Sequence, residues 1–186
     1  MDGVYLGQAS QPVISDPWTG SRDVTLELKN GAVFRPRTQD VVSLFDCIEA
    51  DATSKVWGGE APINGNPAPD FDMTIGGWGG AGSVDVGISS LTITNSFKAS
   101  ADDLLAGHCL NALCPITFAD GVRMTLENAA ALEVGDAPYL CAVSGSSLTG
   151  LPVRAPGCRF KGWAPESGAD GKSLLLGRIG MLLFLR

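Results

Sequence analysis

The sequence predicts a mainly β fold, a β-sandwich or barrel carrying one or two short helices and an extended N-terminal arm. Three observations predict it. Short runs of alternating apolar and polar residues recur along the chain, as at Val24–Leu28 and Val84–Ile88. Gly, Pro, Asn and Asp clusters divide these runs. The last stretch, Lys172–Arg186, is apolar at alternate positions on both faces, as in a strand covered on both sides. Many short strands with Gly and Pro turns fit two packed sheets or one closed sheet.

Residues 1–22 read as the arm. Pro12, Pro17 and Gly20 punctuate it, and Val4, Tyr5, Leu6 and Trp18 have few local partners to bury them. Residues 23–186 then form a single β-rich domain, within the range one domain covers. Val24–Arg37 predicts a hairpin, with Asn30-Gly31 supplying the positive φ angles of a type I′ turn. One residue resists this: a two-residue loop sets Phe34 beside Glu27, on the polar face. Thr38–Asp51 predicts a short helix, because Val41, Leu44, Phe45 and Ile48 follow a 3.6-residue period.

Residues 57–82 hold eight glycines, three prolines, Trp57 and Trp78, and predict a long loop of the kind that meets partners. Val84, Val86 and Ile88 alternate, and the period shifts at Ser89-Ser90, which predicts a β-bulge. Ser100–His108 predicts a helical turn, with Ser100 and Asp103 at capping-box spacing. Pro115–Leu126 predicts a second hairpin around Asp120-Gly121. Ala137–Val143 and Pro152–Phe160 predict short strands separated by a Ser/Gly loop. No repeat at a fixed period is visible.

Charge and composition narrow the function classes. The net charge is −7 with 13 basic residues and no basic run, which argues against nucleic acid as a partner. Charged residues make up 18% of the chain, against about 25% in ordinary domains. So little solvated surface suggests that some of it meets neighbours. The N-terminus lacks the basic and apolar regions of a signal peptide, which predicts a protein made and left in the cytoplasm unless it is later assembled into something exported. Leu174–Leu185 is shorter than the about 20 residues a helix needs to span a bilayer, so no membrane is expected. Cys47, Cys109, Cys114, Cys141 and Cys158 are odd in number and predict mostly buried, reduced thiols.

No chemical motif is complete. His108, Cys109 and Cys114 lack the paired spacing of a structural zinc site, so no metal is expected. His108 is the one histidine, and no nucleophile elbow frames Gly145–Ser147. Gly76–Gly82 lacks the Lys and Ser/Thr of a phosphate loop, and no cofactor is implied. Asp70 and Asp72 are the carboxylates a hydrolase would use, with turn chemistry as the plainer reading. No catalytic residue is assigned, and the chain is not expected to be an enzyme. Trp57 and Trp78 could stack on a sugar ring, or plug the loop onto the sheet.

In style the chain resembles tailed-bacteriophage virion proteins, such as head-decoration (cement) and tail-tube or tail-accessory proteins. The features are the N-terminal arm, the low-charge β-rich body, the long Gly/Pro loops, the Leu132–Asp136 turn leading into Pro138–Leu140, and the apolar final strand. The resemblance implies a virion location, symmetric assembly from copies of the chain or on a capsid or tail lattice, and no catalysis. The foremost expectation is a capsid decoration protein, with a carbohydrate-binding or adhesive module and a tail component as the alternatives. The expected interface residues are Val4, Tyr5, Leu6, Trp18, Trp57, Phe71, Trp78, Leu182 and Phe184.

Overall fold

The computed structural model describes residues 24–35, 46–58, 71–133, 136, 138–144 and 146–179. The arm and the ends of several expected elements lie outside them. These include Val4, Tyr5, Leu6, Trp18, Val41, Leu44, Phe45, Leu182 and Phe184.

Strands dominate. They are β1 (Thr25–Leu28), β2 (Val33–Phe34), β3 (Cys47–Ala50), β4 (Lys55–Val56) and β5 (Phe71–Gly80). Then come β6 (Ser83–Val84), β7 (Ile88–Ser100), β8 (Leu110–Ala112), β9 (Ile116–Phe118) and β10 (Arg123–Glu127). The last are β11 (Tyr139–Val143), β12 (Leu148–Thr149), β13 (Val153–Arg154), β14 (Trp163–Ser167) and β15 (Ser173–Arg178). A short helix, α1 (Ala101–Leu105), and a 3₁₀ turn at Ala129–Ala131 sit between strands.

The fold is mainly β, as the sequence predicts, but its pairing is not that of hairpins. One sheet runs β1-β3-β5-β7-β10-β13, with β9 and β12 joined to the side of β7. The other runs β14-β15-β11-β8-β6-β4-β2. Among the described residues every pair but two is parallel, and the chain visits the sheets in turn. The result is a coil, each turn stacked on the one before: a parallel β-solenoid.

The larger sheet bends, so a full turn has three faces. In β5 and β7, the partner of Ile75 is Ile93 and that of Gly77 is Ser96, a register slip that marks the corner. Beyond β7 the strands separate there: β9 pairs with Leu91–Ile93 and β10 with Ser96–Ser100. The first face holds the start of β5 and β7, then β9 and β12. The second holds β1, β3, the ends of β5 and β7, then β10 and β13. The third is the smaller sheet.

Parallel stacking in register turns each inward position into a column. On the first face the columns are Met73–Leu91–Ile116–Leu148 and Ile75–Ile93–Phe118. On the second, Leu26–Ile48–Trp78–Phe97–Met124 stack. On the third, the column is Phe34–Val56–Val84–Ala112–Val143. Nearly all of these side chains are buried, in one contiguous core. Phe97 and Phe118 meet edge to face at 5.2 Å, tying the second face to the first.

Several expectations are corrected by this topology. Asn30 and Gly31 do have positive φ, 58° and 77°, but they turn the chain from the second face to the third. β1 pairs with β3 and β2 with β4, so no hairpin forms. Phe34 therefore never faces Glu27; it points inward and is fully buried. Asp120-Gly121 is likewise a corner, since β9 and β10 both pair with β7. Cys47–Ala50 is strand rather than the end of a helix, because β1 and β5 hydrogen-bond to its two edges. The stretch 57–82 is not one loop: Phe71–Gly80 is the central strand β5.

Other expectations hold. Ser89 is the extra residue between Ile88 and Ser90 opposite Phe71-Asp72, a β-bulge. α1 follows Ser100, although Ser100 makes no side-chain capping bond. In the Leu132–Asp136 turn, Glu133 N–H donates to Asp136 Oδ2 at 2.6 Å. All five cysteines are free; Cys109, Cys114 and Cys141 are buried.

The far end closes differently. β15 lies antiparallel on β11, and β14 antiparallel on β15. Pro165 in β14 offers no N–H to a further strand, which blunts that edge.

Corner polar groups hold successive turns together. Asn30 N–H donates to Asp51 Oδ2 at 2.7 Å, Gly31 N–H to Thr53 Oγ1 at 2.9 Å, and Ala32 N–H to Ser54 Oγ at 3.1 Å. Burial raises the Asp51 pKa, but hydrogen bonds from the Thr53 hydroxyl, the Asn30 N–H and the Ser54 hydroxyl outweigh it and hold the carboxyl at about 2. A depressed carboxyl stabilises the fold above its unfolded value of about 3.9 and loses that contribution as pH falls toward 2. Asp51→Asn is therefore expected to be less stable than the parent at pH 7. The gap should narrow between pH 4 and pH 2, read from urea melts at each pH; a gap independent of pH would contradict the assignment.

Candidate functional site

Because the inward columns take up most of the apolar side chains, chemistry lies on the outside and at the corners. Three outer regions gather functional groups.

The first is on the second face. Glu27, Glu49, Gly79, Lys98 and Thr125 form one outward column. A Cβ on Gly79 would come within 2.8 Å of Glu49 Cγ. With no side chain there, Lys98 Nζ reaches across the strand to Glu49 Oε1 at 3.3 Å, and onward to Glu127 Oε1 at 3.1 Å. The Glu127 contact leads in raising the Lys98 pKa; burial opposes it and Glu49 adds to it. Glu49, Asp51, Gly80, Lys98, Asp103 and Glu127 help line a groove of about 160 Å³. Glu49 and Glu127 share the ammonium of Lys98, an exposed network of the kind worth about 1 kcal/mol or less per pair.

The second is a cleft of about 320 Å³ under α1. Leu104, Cys109, Pro138, Tyr139 and Ala142 line it, with Asn111 as its amide. Asn111 Nδ2 already donates to the Cys109 carbonyl at 2.9 Å. Tyr139 is exposed, and burial pushes the Cys109 thiol up, so it stays protonated at neutral pH.

The third lies just past the strands of the third face. The backbone ladder continues there: Trp57 N–H donates to Phe34, Asp85 N–H to Val56 and Leu113 N–H to Val84. Arg35, Trp57, Asp85 and Leu113 thus occupy equivalent positions on successive turns. The Arg35 guanidinium lies 4.9 Å from the centre of the Trp57 ring, and Lys55 Nζ 5.6 Å from it. Lys55 also binds Asp85 Oδ2 at 2.7 Å. Burial raises the Asp85 pKa, but the Lys55 ammonium and the Val86 N–H lower it further, leaving it below the usual carboxylate value. Trp57 is half-buried and Leu113 exposed, so aromatic and apolar surface borders two cations.

The residues singled out from sequence fall in different places. Trp57 is in the third region. Trp78 is fully buried between Ile48 and Phe97, which overturns its assignment to a surface contact. Phe71 begins β5. Asp72 is exposed and accepts a hydrogen bond from Ser90 Oγ at 2.6 Å, while Asp70 lies outside the described residues. His108 is exposed after α1, whereas Cys109 and Cys114 are buried. Among the described residues no group of three or more His, Cys, Asp or Glu could hold a metal ion. Among them, too, no helix is long and apolar enough to cross a membrane. Arg35, Lys55 and Asp85 were missed from sequence. Lys55 lies two residues before Trp57 on the same turn, and the step from turn to turn brings Arg35 and Asp85 to them.

No protein-family model, no curated protein and no solved structure matches the chain.

The two tryptophans separate by experiment. Trp78 Nε1 is the buried side-chain donor without a partner among the described residues, held in an apolar column. Trp78→Ala should cost about 3–5 kcal/mol in urea denaturation. Trp57→Ala should stay within about 1 kcal/mol of the parent. Equal losses would contradict the placement of one in the core and the other at the surface.

Proposed function

We propose that the chain is a structural module of a bacteriophage particle that works by contact rather than catalysis, and that its contact is with saccharide. The particle follows from the resemblance drawn from sequence. The mode of action follows from the distribution of side chains. Trp78, which sequence reading offered both for burial between subunits and for stacking on a sugar ring, points into the coil. Of the two tryptophans in the stretch 57–82, Trp57 is the one that reaches the surface. A solenoid presents extended rigid surfaces, and sites on rigid backbone bind with little ordering cost. Fold alone does not assign function. The observation that carries the reading is the half-buried Trp57, at the surface with Arg35 and Lys55 at its ring. An indole offers a sugar ring a flat apolar face beside a polar edge.

Titration of the protein with bacterial surface oligosaccharides is expected to change tryptophan emission. Trp57→Ala should abolish that change without lowering the melting temperature by more than a few degrees. Emission that responds to no oligosaccharide, or a response that survives Trp57→Ala, would contradict the proposal.

A further inference from the structure

Among the described residues two guanidiniums lie over tryptophan rings, Arg35 over Trp57 at 4.9 Å and Arg178 over Trp163 at 5.9 Å, and only the Trp57 ring has a second cation on it, Lys55. Lys29 is paired with Glu27, Lys98 with Glu49 and Glu127, and Lys55 with Asp85. Arg35 forms no ion pair among the described residues; its contact is the indole of Trp57. Stacking fixes the plane of a guanidinium while its N–H edge stays open, and that edge matches a carboxylate with two parallel hydrogen bonds. Lys55 stands on the same ring, kept in place by Asp85, whose carboxylate offsets its charge, so the net positive charge of the patch comes from Arg35. Asp85 is itself fixed by the Val86 N–H at 2.9 Å.

We propose that Arg35, Trp57 and Lys55 form a subsite for an acidic sugar, a hexuronate residue of a polysaccharide. The inference rests on the saccharide contact proposed above and names its chemical class. The sugar carboxylate takes the open edge of Arg35, with Lys55 as the neighbouring cation. The carbon skeleton of the ring lies along the exposed part of Trp57. Asp85 is a positioning residue: it touches Lys55 and not the ligand. The acidic field of the rest of the chain repels polyanions in general. Recognition therefore depends on this one patch and not on net charge.

The full chain would be titrated by calorimetry with three probes: a trigalacturonate, the neutral galactotriose of the same linkage, and inorganic sulfate. The trigalacturonate is expected to bind at least about tenfold more tightly than either of the others, a difference that one charge-assisted hydrogen-bond pair supplies. Arg35→Ala should remove that preference, with circular dichroism unchanged. Arg35→Lys should restore part of it, since the charge returns without the fork. Equal binding of the acidic and neutral sugars would overturn the inference and leave the saccharide contact standing. Sulfate binding as tightly as the uronate would reduce the patch to a general anion site and overturn it as well. Binding of neither sugar would remove both this inference and the reading it rests on.

Discussion

Parallel register between successive turns is the constraint on which everything else depends. Backbone hydrogen bonds from one turn to the next run Val33–Lys55–Ser83–Asn111–Ala142 on the third face. Once that register is set, a residue's neighbours are decided by the turns on either side of it, not by its neighbours in sequence. An inward position must be apolar in every turn or leave a buried polar group unpaired. An outward position meets the same position on the next turn at the strand spacing, so like charges would repel and opposite charges bind. Phe34, Val56, Val84, Ala112 and Val143 satisfy the first demand. Lys98 with Glu49, and Lys55 with Asp85, show how the second is met across a spacing of one or two strands.

The same constraint explains what was legible in the sequence. Features decided within a few residues were readable. The Ser89 bulge shows as a change of parity inside one strand, and the turn before β11 shows in its own residues. The φ angles at Asn30-Gly31 were also readable, but not the partner of the strands around them. That partner is chosen by Asp51, Thr53 and Ser54, 21 to 22 residues further on. The repeat itself stayed hidden because the step between turns is 22 residues at first and close to 30 for the later turns on the third face. A hairpin and a solenoid corner share one local signal, and only long-range pairing separates them.

Glycine misled for a related reason. The run around Trp78 has the composition of a loop, yet Gly77 and Gly79 are the outward positions of a central strand. Added side chains there would meet Ser96 and Glu49 of the adjoining turns. Trp78, between them, points the other way and closes the core. The candidate site was half legible. Trp57 could be picked out as an aromatic residue near the surface and Lys55 stands two residues before it, whereas Arg35 and Asp85 come from the preceding and following turns. The contrast between Lys98, saturated by two carboxylates, and Arg35, paired with none, is visible only when the columns are assembled.

The central claim is the parallel stack, and nuclear Overhauser contacts in the isotope-labelled protein test it most directly. Parallel stacking predicts side-chain contacts from Val56 to both Phe34 and Val84, and from Val84 to Ala112. It predicts none between the backbones of Leu28 and Val33 of the kind an antiparallel pair gives. Strong cross-strand contacts between Leu28 and Val33, with those from Val56 to Val84 missing, would contradict it.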